Sequence, residues 1–189
     1  GHRLSFTGIV LTGGASRRMG RDKAFLPVDG RPLAISVAEA LQEAGAADVF
    51  AVGGDAGRLA ALGLDVVPDH YPGEGPLGAL VTALRAARHD IVVVLACDLP
   101  AASSSAVHAV VRALEQAPTA AWAAPDAGGR RQWLHAAYRR ATLPHWEAAF
   151  ARGERSVHRP AGTLTGVTVS GVDPRSLVDV DAPEDLPGG

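Results

Sequence analysis

Cysteine is almost missing from this chain. A single thiol, Cys97, in 189 residues excludes an internal disulfide and any zinc cluster built on cysteines, and its role reads as packing. The 7 histidines are scattered without His-x-x-x-His spacing, so zinc hydrolase chemistry has no support either. Charge of one sign is also lacking: 18 Lys and Arg face 20 Asp and Glu, for a formal net charge of −2. Such a balance gives no general attraction to nucleic acid. No run approaches the roughly 18 apolar residues of a membrane span, and no N-terminal signal pattern is visible. The expectation is a cytoplasmic protein with neither nucleic acid nor membrane as partner. Gly1-His2 reads as an expression-tag remnant and stays outside the fold argument.

Apolar content of 47% over 189 residues suffices for one sizeable core and falls short of two comfortable domains, so a single domain over 1–189 is expected. Apolar runs alternate with helical patterns, and no internal repeat is visible. Gly8-Ile9-Val10-Leu11 reads as a buried strand. Leu33, Val37, Ala38 and Leu41 recur at helical spacing, and Gly45 provides a stop. Val49–Val52 and Val66–Val67 read as strands and Leu77–Ala87 as a helix. Ile91–Cys97, bounded by Asp90 and Asp98, is the clearest interior strand, because an unbroken apolar run suits a parallel strand covered on both faces.

Ser103 to Ser105 offer N-caps for a helix carrying Val107, Val110, Val111 and Leu114. Ala120–Ala124 and Leu134–Tyr138 then read as strands around a turn at Asp126–Arg131. Leu143–Arg152 reads as a helix, and Gly153–Val157 as its link to a further strand. The alternation predicts an α/β fold with a three-layer, doubly wound, mostly parallel sheet.

The informative segment is Leu11-Thr12-Gly13-Gly14-Ala15-Ser16-Arg17-Arg18-Met19-Gly20-Arg21-Asp22-Lys23. It leaves the carboxyl end of the first strand, where open α/β sheets place ligands. Glycines at 13, 14 and 20 allow tight turns with exposed amides, and Arg17, Arg18, Arg21 and Lys23 add cationic groups. A polyphosphate matches that pattern. It is not a P-loop, since Lys23 lies three residues beyond Gly20 and is followed by Ala24, and Gly13-Gly14 opens no G-x-G-x-x-G fingerprint.

This string, followed by Leu26-Pro27-Val28 and Gly30-Arg31-Pro32-Leu33, resembles the signature of the sugar-nucleotidyltransferase superfamily, within it the MobA-type molybdenum cofactor guanylyltransferase branch. Three later blocks agree: Asp69 with Gly75-Pro76-Leu77-Gly78, then Ala96-Cys97-Asp98-Leu99-Pro100, then Val178-Asp179-Val180-Asp181-Ala182-Pro183-Glu184-Asp185-Leu186. The four blocks span nearly the whole chain. The resemblance implies a Rossmann-like nucleotidyltransferase fold, with a nucleotide-binding half over about 1–115 and an acceptor half over about 116–189.

It also implies the activity: GMP passes from GTP to molybdopterin, pyrophosphate leaves, and Mg²⁺ is the cofactor. Transient contact with other molybdenum cofactor enzymes would follow. The implied catalytic residues are Lys23, Asp98 and Arg18. Those implied at the nucleotide are Leu11, Thr12, Gly13, Gly14, Lys23, Gly53, Asp69, Gly75, Pro76, Leu77 and Asp98. The implied metal ligands are Asp98 and Asp181.

Each assignment has a structural counterpart. Lys23 is otherwise a solvated lysine, and Asp98 a turn residue or helix cap; Mg²⁺ commonly takes one or two carboxylates plus substrate phosphates. Asp181 with Glu184 three residues on also fits a capping box, and the MobA-type branch has asparagine both there and at Asp179. Asp69 is also a natural turn former. Gly53 stands where the family often has asparagine, so a ribose contact there would come from backbone. Trp133 fits a core residue or a pterin-stacking surface, and Arg155 a second-phosphate contact or a solvated turn. The rival enzyme is a cytidylyltransferase on the same cofactor or another small-metabolite nucleotidyltransferase, although Leu-Thr-Gly-Gly and the Asp before Lys23 depart from the cytidylyl pattern. From another class, the rival is a non-catalytic nucleotide-binding module.

Overall fold

The structure, a computed structural model, describes residues 5–13 and 22–180. Gly14, Arg17, Arg18, Arg21 and Asp181, named above, lie outside the described residues.

The first strand, β1 (Phe6–Leu11), alternates inward contacts to both faces and is followed, beyond a 3₁₀ turn at Lys23–Phe25, by a small hairpin, β2 (Pro27–Val28) and β3 (Arg31–Pro32). Helix α1 (Leu33–Glu43) ends as expected before Gly45, which takes a positive φ of 97°. Next come β4 (Asp48–Val52), α2 (Ala56–Ala61), β5 (Asp65–Val67), α3 (Pro76–Ala86), β6 (Ile91–Ala96) and α4 (Ser104–Glu115). The Ser103 hydroxyl caps α4 by accepting from the Ala106 amide at 3.2 Å. The second half holds β7 (Trp122–Ala127), β8 (Arg130–Arg131), β9 (His135–Arg139), α5 (Leu143–Ala151), α6 (His158–Gly162) and β10 (Gly166–Val169).

The main sheet runs β10-β7-β9-β6-β1-β4-β5, with β8 beside β7. Strands β6, β1, β4 and β5 are mutually parallel, and β10 is parallel to β7. Only β9 and the short β8 pair antiparallel to their neighbours, which makes the sheet mostly parallel as the alternation predicts.

The period-two pattern of β6 divides the core. Ile91, Val93 and Leu95 join residues of α1, α2 and α4 on one face; Val92 and Val94 join residues of α3, α5 and α6 on the other. The sheet is therefore the middle of three layers. On the first face Gly8 admits α1 at close range, since a Cβ there would lie 3.0 Å from Leu41 Cβ. Among the described residues no helix is long and apolar enough to cross a membrane.

Two helices differ from the sequence reading. The link after α5 runs into α6 before it reaches a strand, and α2 occupies a stretch given no element. Both helices are short, and α2 buries Leu59 alone, so neither leaves a helical stripe to detect.

Candidate active site

The parallel strands β1, β4, β5 and β6 end on one edge of the sheet. The most buried of them, β6, delivers Asp98 two residues past its last paired residue. Across from it, Asp22 caps the 3₁₀ turn by accepting from the Ala24 amide at 3.1 Å, which fixes Lys23 at the turn's start. Lys23 is 6% exposed, and its Nζ donates to Asp98 Oδ2 at 3.3 Å. A lysine so enclosed is not a solvated one. Burial pushes the Asp98 carboxyl above its usual value; Lys23 opposes that and the neighbouring Asp179 adds to it.

Asp179 arrives by a backbone route. The Val180 amide donates to the Asp98 carbonyl at 2.9 Å, and the Val180 side chain is wholly buried with Leu26, Val28 and Leu33. That anchorage sets the preceding carboxylate on the rim of the same opening. The second carboxylate expected from the sequence, Asp181, lies outside the described residues; among the described residues Asp179 stands beside Asp98. Its only signal in the sequence was its place in the last family-like block.

Lys23, Asp98 and Asp179 line a cleft of about 480 Å³ that also touches Pro76, Trp133, His135, Val157 and His158. Both faces of the β6 end contribute to it. Pro76 is the one member of the Gly75-Pro76-Leu77 turn that lines it. Leu77 is fully buried and its amide donates to the Arg155 carbonyl at 3.0 Å; at Gly75, where φ is +88°, a Cβ would lie 2.7 Å from that same oxygen. The turn is thus held against residues 154–157. Arg155 is a surface turn residue: its Nη1 donates to the Phe150 and Glu154 carbonyls at 3.0 and 2.8 Å, and its head lies over the Phe150 ring.

The other expected nucleotide contacts gather one strand away. Thr12 is buried, and its hydroxyl donates to the Gly53 carbonyl at 2.8 Å and the Val52 carbonyl at 3.2 Å, joining the ends of β1 and β4. Gly53 and Gly54 have φ of +81° and +77°. Main chain lies on main chain here, for a Cβ on Gly54 would be 2.8 Å from Thr12 Oγ1 and one on Gly13 3.3 Å from the Gly54 amide nitrogen. The Gly53 amide donates to Val67 O at 2.9 Å. Asp69 Oδ1 accepts from the Tyr71 amide at 2.9 Å and the Thr82 hydroxyl at 3.3 Å, so this carboxylate holds its own turn. Leu11 is half-buried, and its carbonyl accepts from the Cys97 amide at 3.1 Å, which keeps the two loop systems adjacent. Cys97 itself is buried with its thiol pKa pushed up, consistent with packing.

Trp133, weighed between core and surface, is half-buried and walls the cleft, edge-on to Trp122 with ring centroids 4.7 Å apart. His135, which the sequence showed only as a strand residue, lies beside it at 1% exposure.

The family description "MobA-like NTP transferase domain" matches residues 8–165. Molybdenum cofactor guanylyltransferase from Rhodobacter capsulatus is 34% identical over 183 residues, covering 97% of this chain and 94% of the relative. The protein of that name from Cereibacter sphaeroides is 34% identical over 183 residues, covering 95% and 92%. Among solved structures, molybdopterin-guanine dinucleotide biosynthesis protein A from Archaeoglobus fulgidus superposes with a TM-score of 0.75 at 21% identity, over 95% of this chain and 94% of that one. The 2-C-methyl-D-erythritol 4-phosphate cytidylyltransferase of Thermus thermophilus reaches 0.69 at 19% identity, over 94% of each chain, so the fold is shared with enzymes of other bases.

Proposed function

Because the chain belongs to the MobA-like NTP transferase family, we propose that it transfers GMP from GTP to molybdopterin, releases pyrophosphate and forms the guanine dinucleotide form of the cofactor. The observation that carries this reading is the enclosed Lys23–Asp98 pair at the end of the most buried strand, with Asp179 fixed beside it. The curated relatives' shared name supplies the substrates.

The acceptor brings its own nucleophile. A terminal phosphate oxygen of molybdopterin attacks the α-phosphorus of GTP; a new P–O bond forms as the bond to the bridging oxygen of pyrophosphate breaks. No protein nucleophile is needed, and the chain's contribution is alignment and charge. Lys23 serves as a point charge that offsets negative charge on the α-phosphate and the departing pyrophosphate. The backbone of the β1 and β4 loops, pressed together through Thr12, forms a rigid floor against which a nucleotide is oriented.

Asp98 and Asp179 offer hard carboxylate oxygens, the donor type that Mg²⁺ takes, and two acids crowded in one cleft suit a cation. Bound there, Mg²⁺ would supply charge neutralisation and orientation of phosphate oxygens.

Pyrophosphate release tests the reading with Mg²⁺, molybdopterin and one nucleotide at a time. GTP is expected to react well ahead of ATP and CTP, because a site built to pair guanine's polar edge rejects a base that leaves those groups unpaired. Faster release from CTP would replace this reading with the cytidylyltransferase.

A further inference from the structure

His135 opens β9, opposite Leu95 of β6 in the antiparallel register. Its backbone amide is employed, donating to the Gln132 carbonyl at 3.1 Å before the ladder begins. Its side chain is not. At 1% exposure, both ring nitrogens are without a hydrogen-bond partner among the described residues. Burying such a group unpaired is costly, and the two residues that follow it in the strand are alanines. An imidazole kept in that place, on the wall of the cleft, marks a position open to a partner from outside the described residues.

The surroundings narrow the partner's chemistry. Burial lowers the His135 pKa to about 4, so the ring is neutral near pH 7 and offers one donor and one acceptor. A neutral ring is a poor match for phosphate and a good one for the mixed donor and acceptor edge of an uncharged heterocycle. Next to it, Trp133 is braced on both sides: Tyr138 Oη donates to its carbonyl at 2.6 Å, and Trp122, against which it stands, donates through Nε1 to the Ala161 carbonyl at 3.0 Å. The result is a fixed aromatic wall beside a hydrogen-bonding ring.

The sheet order separates this corner from the glycine loops. β6 is flanked by β9 on one side and by β1 on the other, so Asp98 stands between His135 and the Thr12–Gly53 floor. We infer that His135 reads the polar edge of the pterin on the acceptor side of the cleft, with Trp133 as the adjoining wall. This rests on the guanylyltransferase reading for the identity of the acceptor. Pterin and guanine share an amino-oxo-pyrimidine edge, so the experiment has to tell the two apart.

The test measures 6-hydroxymethylpterin and GTP binding by calorimetry for the wild type, His135→Leu and His135→Gln. Leucine removes both hydrogen-bonding nitrogens, and glutamine restores a donor and an acceptor. His135→Leu is expected to weaken pterin binding roughly tenfold, the worth of about one hydrogen bond. It should leave GTP binding unchanged and raise KM for molybdopterin with kcat nearly constant, while His135→Gln keeps most of the affinity. Nitrogen-15 NMR of histidine-labelled wild type gives a reading that needs no folded variant: the His135 ring signal should move on adding pterin and stay on adding GTP.

Unchanged pterin affinity in His135→Leu, a wild type that binds no pterin, or a ring signal that moves with GTP alone would each overturn the inference. Failure of the guanylyltransferase reading shows elsewhere, as wild-type protein that releases no pyrophosphate from GTP and molybdopterin.

Discussion

Acidification probes the burial of His135 directly. Its pKa falls from 6.5 to about 4 because the folded chain withholds water from the ring. In the unfolded chain the ring binds a proton as the pH drops through 6.5, whereas the folded chain refuses it until the pH nears 4. The group therefore costs the fold nothing above pH 7, withdraws stability as the pH falls through that window, and adds no further loss below it. At 1.36 kcal/mol per tenfold, the full gap amounts to about 3 kcal/mol, and at pH 5 to about 2 kcal/mol. For a chain of this length 1 kcal/mol moves the melting temperature by about 2–4 °C, so the expected excess loss at pH 5 is about 4–8 °C. Calorimetric melts of wild type and His135→Leu at pH 7.5 and pH 5 read it, since every other titrating group is common to both proteins. The wild type should lose the larger part of its melting temperature. Equal losses would show that the His135 ring takes up its proton in the folded chain and has access to water.

Four further substitutions address the site and the loops around it. Lys23→Ala should lower kcat on the order of 10²-fold or more while moving KM for GTP less, as for a donor whose interaction strengthens toward the transition state; a change in KM alone would make Lys23 a binding residue only, and Asp98→Ala, which removes the partner carboxylate, should nearly abolish turnover. Gly54→Ala and Gly63→Ala share a positive φ, +77° and +87°, but only the first Cβ meets backbone, at 2.9 Å from Thr12 O, while the second meets nothing within 4 Å. Both should cost about 1–3 kcal/mol in thermal melts, Gly54→Ala clearly the more, and equal costs would show that the loops can part.

The central strands were readable because their chemistry is local. The unbroken Ile91–Leu95 run identified β6 and so the strand end that carries Asp98. Lys23 was legible through the glycines and arginines before it, and its pairing with Asp98 is what an inward lysine requires. The place of Asp179 beside Asp98 could not be read from sequence, since it depends on one backbone hydrogen bond from the Val180 amide to the Asp98 carbonyl, from opposite halves of the chain. The strand expected after the Gly153–Val157 link carried no bounds, because Gly166-Val-Thr-Val pairs at a sheet edge with little burial to mark it. His135 was hidden differently: in a strand pattern a buried histidine looks like any inward residue, and only the surrounding space reveals that its nitrogens have no partner.

The backbone hydrogen bond from the Val180 amide to the Asp98 carbonyl separates folding from chemistry along the chain. A chain ending soon after Val169 already possesses every strand of the main sheet among the described residues, yet it lacks both Asp179 and the valine that covers Leu26, Val28 and Leu33. Chains grow from the amino end, so a nascent polypeptide can assemble the whole sheet while its cleft is still missing one wall. Damage to that late segment would accordingly leave a protein that looks folded by circular dichroism and is silent in turnover.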